Sequence, residues 1–194
     1  MQIIRLFSSA SAKGTENYLK IQKKYEALRT ILYFSLSAAL FIAGYVQTKS
    51  RLNLLTVVAV LGCLPAGKSL VSTVMFFRFP GCLPENAAGI KEHSQGLKVL
   101  FDCVFTSYSK NYRVSHLTVR GNTVCGFTED KAFAEQDFYK HIQEHLKLDG
   151  HGDITVKIFD NLSVYTERLE QMKSLPAEAK KTEAVLETLK SVML

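Results

Sequence analysis

Two long apolar runs joined by a short polar link, together spanning Thr30 to Phe79, constrain this chain more than any other feature. The first run, Thr30 to Thr48, holds no charged residue. At about 1.5 Å per residue it reaches roughly 28 Å, close to the thickness of a bilayer's hydrocarbon core. The second run, Leu52 to Arg78, is interrupted by Pro65 and Lys68. Leu52 to Leu64 alone would reach only about 20 Å, so a crossing helix has to continue through Pro65, where the missing N–H predicts a bend. The pattern is that of a transmembrane hairpin, with helices at about 30–48 and 53–77.

Small residues indicate how two such helices meet. Ser35, Ala39 and Ala43 recur every four residues, and Ala59, Gly62 and Ala66 provide small positions on the second helix. In lipid, small residues let helix backbones approach closely. The same spacing also serves self-association into a homo-oligomer. Lys68 is the one ionisable residue inside either run. It is a candidate for binding a lipid headgroup or another anionic ligand, and equally a residue that snorkels toward a nearby interface.

The net charge of +6 is unevenly distributed. Residues 1–78 carry ten Lys or Arg against two acids, and residues 79–194 carry fourteen against sixteen. The basic excess flanks the apolar runs, where it favours anionic lipid headgroups, and nucleic acid is not an expected partner of the remainder. Lys13, Lys20, Lys23, Lys24 and Arg29 precede the first run, whereas the link has Lys49 and Arg51. That asymmetry predicts a plasma (inner) membrane protein with both termini cytoplasmic. Cys63, Cys82, Cys103 and Cys125 show no ligand spacing and read as reduced, structural cysteines. Residues 1–14 read as a mobile tail, because Ile3 to Phe7 is too short and too charged for a secretory core.

Tyr18, Ile21, Tyr25 and Leu28 form a helical stripe on an amphipathic juxtamembrane helix over 15–29, capped by Thr15. Beyond Phe79-Pro80-Gly81 the period changes. A short helix from Pro84 is followed by strands at Leu97 to Tyr108, Arg113 to Val119 and Thr123 to Thr128, the last two joined by Arg120-Gly121-Asn122. Asp130 to Leu148 returns to a helical pattern with Ala134, Phe138, Ile142 and Leu146 on one face. Asp153 to Phe159 is a fourth strand, Asp160 or Asn161 caps a helix to about Ser174, and Ala177 to Leu194 is a last amphipathic helix. The fold class is α+β: a transmembrane hairpin, then a cytoplasmic domain over 80–194 with a mainly antiparallel sheet of about four strands, in the order α-β-β-β-α-β-α-α.

Two short constellations could carry chemistry. The order helix, three strands, helix, strand resembles the core of restriction-endonuclease-like nucleases, and Glu129-Asp130-Lys131 supplies their Glu-x-Lys at the end of the third strand. The resemblance implies carboxylates on a metal ion and a lysine beside the attacking water. The companion acid expected near the start of the second strand is absent from Tyr112 to Leu117, and Asp102 stands on the first strand instead. His141-Ile142-Gln143-Glu144-His145 is similar to the H-x-x-E-H motif of inverted zinc peptidases, which implies His141 and His145 as zinc ligands and Glu144 as base. Capping explains Glu129 and Asp130 at the start of the next helix, and a place beside the core explains His145. His116, on a strand, and His93 and His151 read as structural or exposed.

Neither catalytic set is complete. The function expected is therefore non-enzymatic and free of cofactors: a membrane-anchored scaffold, sensor or effector whose cytoplasmic domain binds a protein or small-molecule partner. The alternative is a membrane-tethered metal-dependent hydrolase using Asp102, Glu129 and Lys131, or His141, Glu144 and His145.

Overall fold

The computed structural model describes residues 13–108, 110–176 and 178–194. The chain divides into two compact units, a helical hairpin from Leu19 to Pro80 and an α/β unit formed by residues 13–18 together with Gly81–Leu194.

The hairpin consists of α1 (Tyr18–Thr48) and α2 (Leu54–Arg78), both long and apolar enough to cross a membrane. The juxtamembrane stretch and the first apolar run are one uninterrupted helix, and α2 continues through Pro65. Asn53 starts α2 by accepting the Thr56 N–H at 2.8 Å.

The helices meet along a seam spaced alternately three and four residues apart. On α1 it runs through Glu26, Thr30, Tyr33, Ser37, Leu40 and Gly44; on α2 through Ala59, Gly62, Ala66, Ser69, Thr73 and Phe76. Such spacing keeps one stripe facing the partner helix. A Cβ on Gly62 would lie 2.7 Å from Ser37 Oγ, and one on Gly44 would lie 2.6 Å from Asn53 Oδ1, so both glycines mark close backbone approach. Ala59, Gly62 and Ala66 on α2 lie in the seam as expected, but the α1 side differs. Ser35, Ala39 and Ala43 are exposed, because their constant four-residue step drifts off the facing side. Of the predicted stripe Tyr18 is buried but Ile21 and Leu28 are exposed, and Leu19, Gln22 and Glu26 join Tyr18 as buried positions near the start of α1.

Polar contacts fix the helix register. Thr30 Oγ1 lies 2.8 Å from Ser69 Oγ and 2.9 Å from Thr73 Oγ1, and Arg29 Nε donates to Ser69 Oγ at 3.3 Å. The start of the charge-free run on α1 therefore lies beside Ser69, and its far end, at Gly44, lies beside Asn53. Lys68 sits exposed at the level of Arg29 and Thr30.

The α/β unit contains α3 (Pro84–His93), β1 (Lys98–Thr106), β2 (Asn111–Arg120), β3 (Thr123–Phe127), α4 (Glu135–Leu148), β4 (Thr155–Phe159), α5 (Leu162–Lys173) and α6 (Ala179–Val192). The element order is the one the sequence predicts. Ala177, taken there as the start of the last helix, lies outside the described residues, as do residues 1–12 of the tail. The sheet has the order β1-β2-β3-β4. It is mixed rather than mainly antiparallel: hairpins join the first three strands, but β4 runs parallel to β3. The cause is α4, which carries the chain back to the end of the sheet where β3 began.

Helices cover both faces. Phe138, Ile142 and Leu146 of α4 and Val185, Leu186 and Leu189 of α6 pack on one, each large side chain contributing about 1.5–3 kcal/mol by leaving water. Ile90 of α3 and Tyr165, Leu169 and Met172 of α5 pack on the other. Asn161 starts α5, its side chain accepting from the N–H groups of Ser163 and Val164.

Strands β1 and β2 switch faces together. Leu100 and Leu117 pair and face α4, and Phe101 and His116 pair and lie on the α5 side. Two residues on, the pair Cys103 and Val114 faces α4 again. Asp102 and Ser115 are the extra residues in the two strands, inserted opposite each other, so the register continues while the alternation shifts by one. Asp102 takes φ 53°, in the left-handed region, which Asp tolerates better than most residues.

The outer edge of β1 is covered from both directions along the chain. Gly14 O accepts the Phe101 N–H at 2.8 Å, and Leu194 N–H donates to Val104 O at 2.9 Å. Met193 bridges to Phe105, so Val192-Met193-Leu194 packs against this unit. Gly14 has φ +79° and lies against Leu100, where a Cβ would collide with that side chain.

Candidate functional site

Asp102 and Glu129, the two carboxylates of the nuclease-like set, come together at the turn that starts α3. Asp102 is buried, and its Oδ1 accepts the Cys82 N–H at 2.7 Å. Glu129 Oε1 accepts the Leu83 N–H at 3.1 Å and the Asn86 Nδ2 at 2.7 Å, and the Cys82 thiol points at it from 3.7 Å. Helix α3 begins with Leu83 at the cap position and Pro84 after it, so it has no cap side chain of its own. The carboxylates satisfy this positive helix end from outside. Burial, followed by the charges of Glu129 and Asp102, pushes the Cys82 thiol up to about 12, so it stays protonated and a poor nucleophile at neutral pH.

This corrects the capping role expected of Glu129: it serves α3, not the helix that follows it. Asp130 does act locally, accepting the Ala132 N–H at 3.0 Å ahead of α4. Lys131 lies elsewhere, lining a hollow of ≈ 150 Å³ with Asp130, Glu135 and Asp160 at the ends of the parallel strands. Glu129 does not line that hollow. Glu129 is engaged at the start of α3, whereas Lys131 lines the hollow.

His141 and His145 sit side by side on α4, with ring centroids 4.9 Å apart. The His141 ring stacks on Tyr112, and burial, then the neighbouring His145, lowers its pKa. Its Nε2 is buried with no hydrogen-bond partner among the described residues. Glu144 is exposed. Among the described residues no group of three or more His, Cys, Asp or Glu side chains is placed to hold a metal ion. His93 pairs with Glu170 on the surface at 3.0 Å.

Two features of the interior were not legible as sites. His116 is fully buried, its Nδ1 lies 2.6 Å from Tyr165 Oη, and its ring meets Phe101 edge-on. Burial lowers its pKa to about 3, so it is a neutral hydrogen-bonding group. The second is a cleft of ≈ 470 Å³ between the edge of the sheet and α5, lined by Thr123, Cys125, Thr155, Lys157, Arg168 and Gln171 among others. Arg168 Nη1 donates to Gln171 Oε1 at 2.9 Å, and Lys157 Nζ lies 5.2 Å from the Phe159 ring centre. The charged side chains lining the cleft are Lys157 and Arg168 against Glu167. The signal for it was the alternation Thr155, Lys157, Phe159 on a strand followed by Arg168 on the next helix, visible only once that helix is placed over that face.

All four cysteines are unpaired. Comparison with protein-family models, with curated proteins and with solved structures returns no match.

Proposed function

We propose that the chain is a membrane-anchored binding protein: α1 and α2 cross the bilayer, and the α/β unit is a non-enzymatic module for a protein or small-molecule partner. The observation that carries this reading is the use made of Asp102 and Glu129. Both accept hydrogen bonds from the start of α3, while a polar cleft beside β4 stays open. For the anchor, the support is the outward face of the hairpin, where Ile31, Leu36, Ile42, Leu61, Leu64 and Val71 are all exposed. Water penalises such a surface and lipid does not.

In this reading the charge-free parts of the helices lie in the hydrocarbon core, and Lys68 snorkels at the boundary where it can meet an anionic headgroup. The basic residues before Thr30 support an arrangement with both ends of the chain on the cytoplasmic side of the plasma (inner) membrane. The full chain should resist alkaline carbonate extraction and, purified in detergent, carry no stoichiometric metal; its mass gives the oligomeric state. Stoichiometric zinc that disappears in His141→Ala would overturn the non-enzymatic reading.

The second reading, a tethered metal-dependent nuclease, draws on the convergence of Asp102 and Glu129 at Cys82. It requires Mg²⁺- or Mn²⁺-dependent nicking of DNA that is lost in Lys131→Ala.

A further inference from the structure

The two edges of the sheet are finished differently. Backbone from Gly14 and from Met193-Leu194 covers β1. On the other edge, β3 is the strand paired with β4 among the described residues. The parallel ladder uses Thr155, whose N–H reaches Asn122 O at 2.8 Å, and Phe159, whose O accepts from Thr128 N–H at 2.9 Å. Alternation along a strand then turns the backbone groups of Val156 and Ile158 outward. Five residues long, this edge offers a short row of donors and acceptors beside two hollows.

The hollows lie on opposite faces. Toward α5 is the ≈ 470 Å³ cleft holding Lys157 and Arg168. Toward α4 is one of ≈ 350 Å³, lined by Phe138, Tyr139, Val156 and Ile158, with Glu135 and Gln136. Side chains of an added strand alternate between faces, so every second residue would enter the cationic hollow and the others the apolar one. We propose that β4 is a docking edge for an extended segment of a partner protein in which acidic residues alternate with apolar ones.

Charge decides between this occupant and a second copy of the chain. Antiparallel pairing of two β4 edges about their centre sets Lys157 against Lys157, and like charges directly opposite each other destabilise a strand pair. A carboxylate at the same place meets Lys157 and Arg168 instead. The inference rests on the reading of the α/β unit as a binding module, and it names the partner's chemistry.

The test uses the full chain in lipid nanodiscs and a fluorescein-labelled peptide of alternating Glu and Val, followed by fluorescence anisotropy. The Glu–Val peptide is expected to bind, and Lys157→Glu with Arg168→Glu to weaken it about tenfold or more. A Lys–Val peptide is expected to bind the doubly substituted chain better than the original, which shows that the variant is folded. Absence of binding by any peptide, binding indifferent to the charge reversal, or equal competition by polyglutamate would overturn the docking edge. So would a dimer of the chain that the peptide dissociates, since the edge would then serve a second copy. These results leave the binding-module reading standing, whereas zinc-dependent cleavage of the peptide would overturn that reading as well.

Discussion

In the hairpin most large apolar side chains point outward and hydroxyls pack into the seam; in the α/β unit large apolar side chains fill the interior and charged pairs lie on the surface. Ile31, Leu61 and Val71 are exposed while Thr30, Ser37 and Ser69 are buried. In the other unit Phe138, Ile142 and Leu146 are fully buried, and charged residues such as Lys110 and Asp137 pair on the surface. The difference shows that burial alone does not define a core. What a unit hides depends on what surrounds it, and in the membrane setting proposed above the hairpin hides the groups that lipid would not satisfy.

The sharpest test of that contrast is to truncate one apolar residue in each unit. Phe138→Ala should cost about 3–5 kcal/mol in urea unfolding of the α/β unit, followed by tyrosine fluorescence. Asp102→Ala should cost about 2 kcal/mol by the same measurement, because the Cys82 N–H loses its acceptor and the left-handed backbone is left to a residue that resists it. Asp102→Asn keeps the tolerance for that backbone and should cost less.

A buried base gives the α/β unit a pH dependence with a definite sign. The folded pKa of His116 is about 3, below its ordinary value of 6.5, so the unfolded chain binds the proton more readily. The contribution of neutral His116 is fully present above pH 6.5 and is lost as pH falls through the window toward about 3. The slope has a limit of about 1.4 kcal/mol per pH unit. His116→Gln should flatten that part of a stability-against-pH curve, read from urea midpoints in buffers across the window.

Smaller effects belong to the hairpin. Thr30→Val should weaken helix pairing by about 0.6 kcal/mol, read by energy transfer between labels on the two helices, since it removes the hydroxyl shared with Ser69 and Thr73. Leu61→Ala, on the outward face, should change pairing by less than about 0.5 kcal/mol. An effect as large as that of Phe138→Ala would break the contrast, because it would place Leu61 in a protein core.

What the sequence made legible was local. The four-residue spacing through Phe138, Ile142 and Leu146, the cap at Asn161 and the turn at Gly121-Asn122 each depend on neighbours within a few residues, and each is where the pattern puts it. What it hid depends on distant partners. Glu129 stands just before α4 yet bonds to the start of α3, 46 residues away at Leu83. The paired insertion of Asp102 and Ser115 leaves the strand runs looking ordinary, since both shift together. Parallel pairing of β4 followed from the helix before it, but only the sheet order makes β4 an edge. On α2 the expected Ala59, Gly62 and Ala66 lie in the seam, and on α1 it was missed because small residues stand both on the constant four-residue spacing through Ser35, Ala39 and Ala43 and on the alternating one through Ser37 and Gly44.

The covering of β1 also sets an order of events during synthesis. Lys13 Nζ donates to Lys190 O and Met193 O, and Tyr18 Oη donates to Leu194 O, pairs separated by 176 to 180 residues. At ordinary translation rates the interval between completion of β1 and arrival of Leu194 is on the order of ten seconds. Throughout that interval the hairpin has already been made, and β1 has no cover from Met193 or Leu194. Closing so long a loop is slow compared with forming the local hairpins. The nascent chain therefore passes through a stage in which the part of β1 at Val104 and the β4 edge both lack cover, and the arrival of Met193 and Leu194 closes the first.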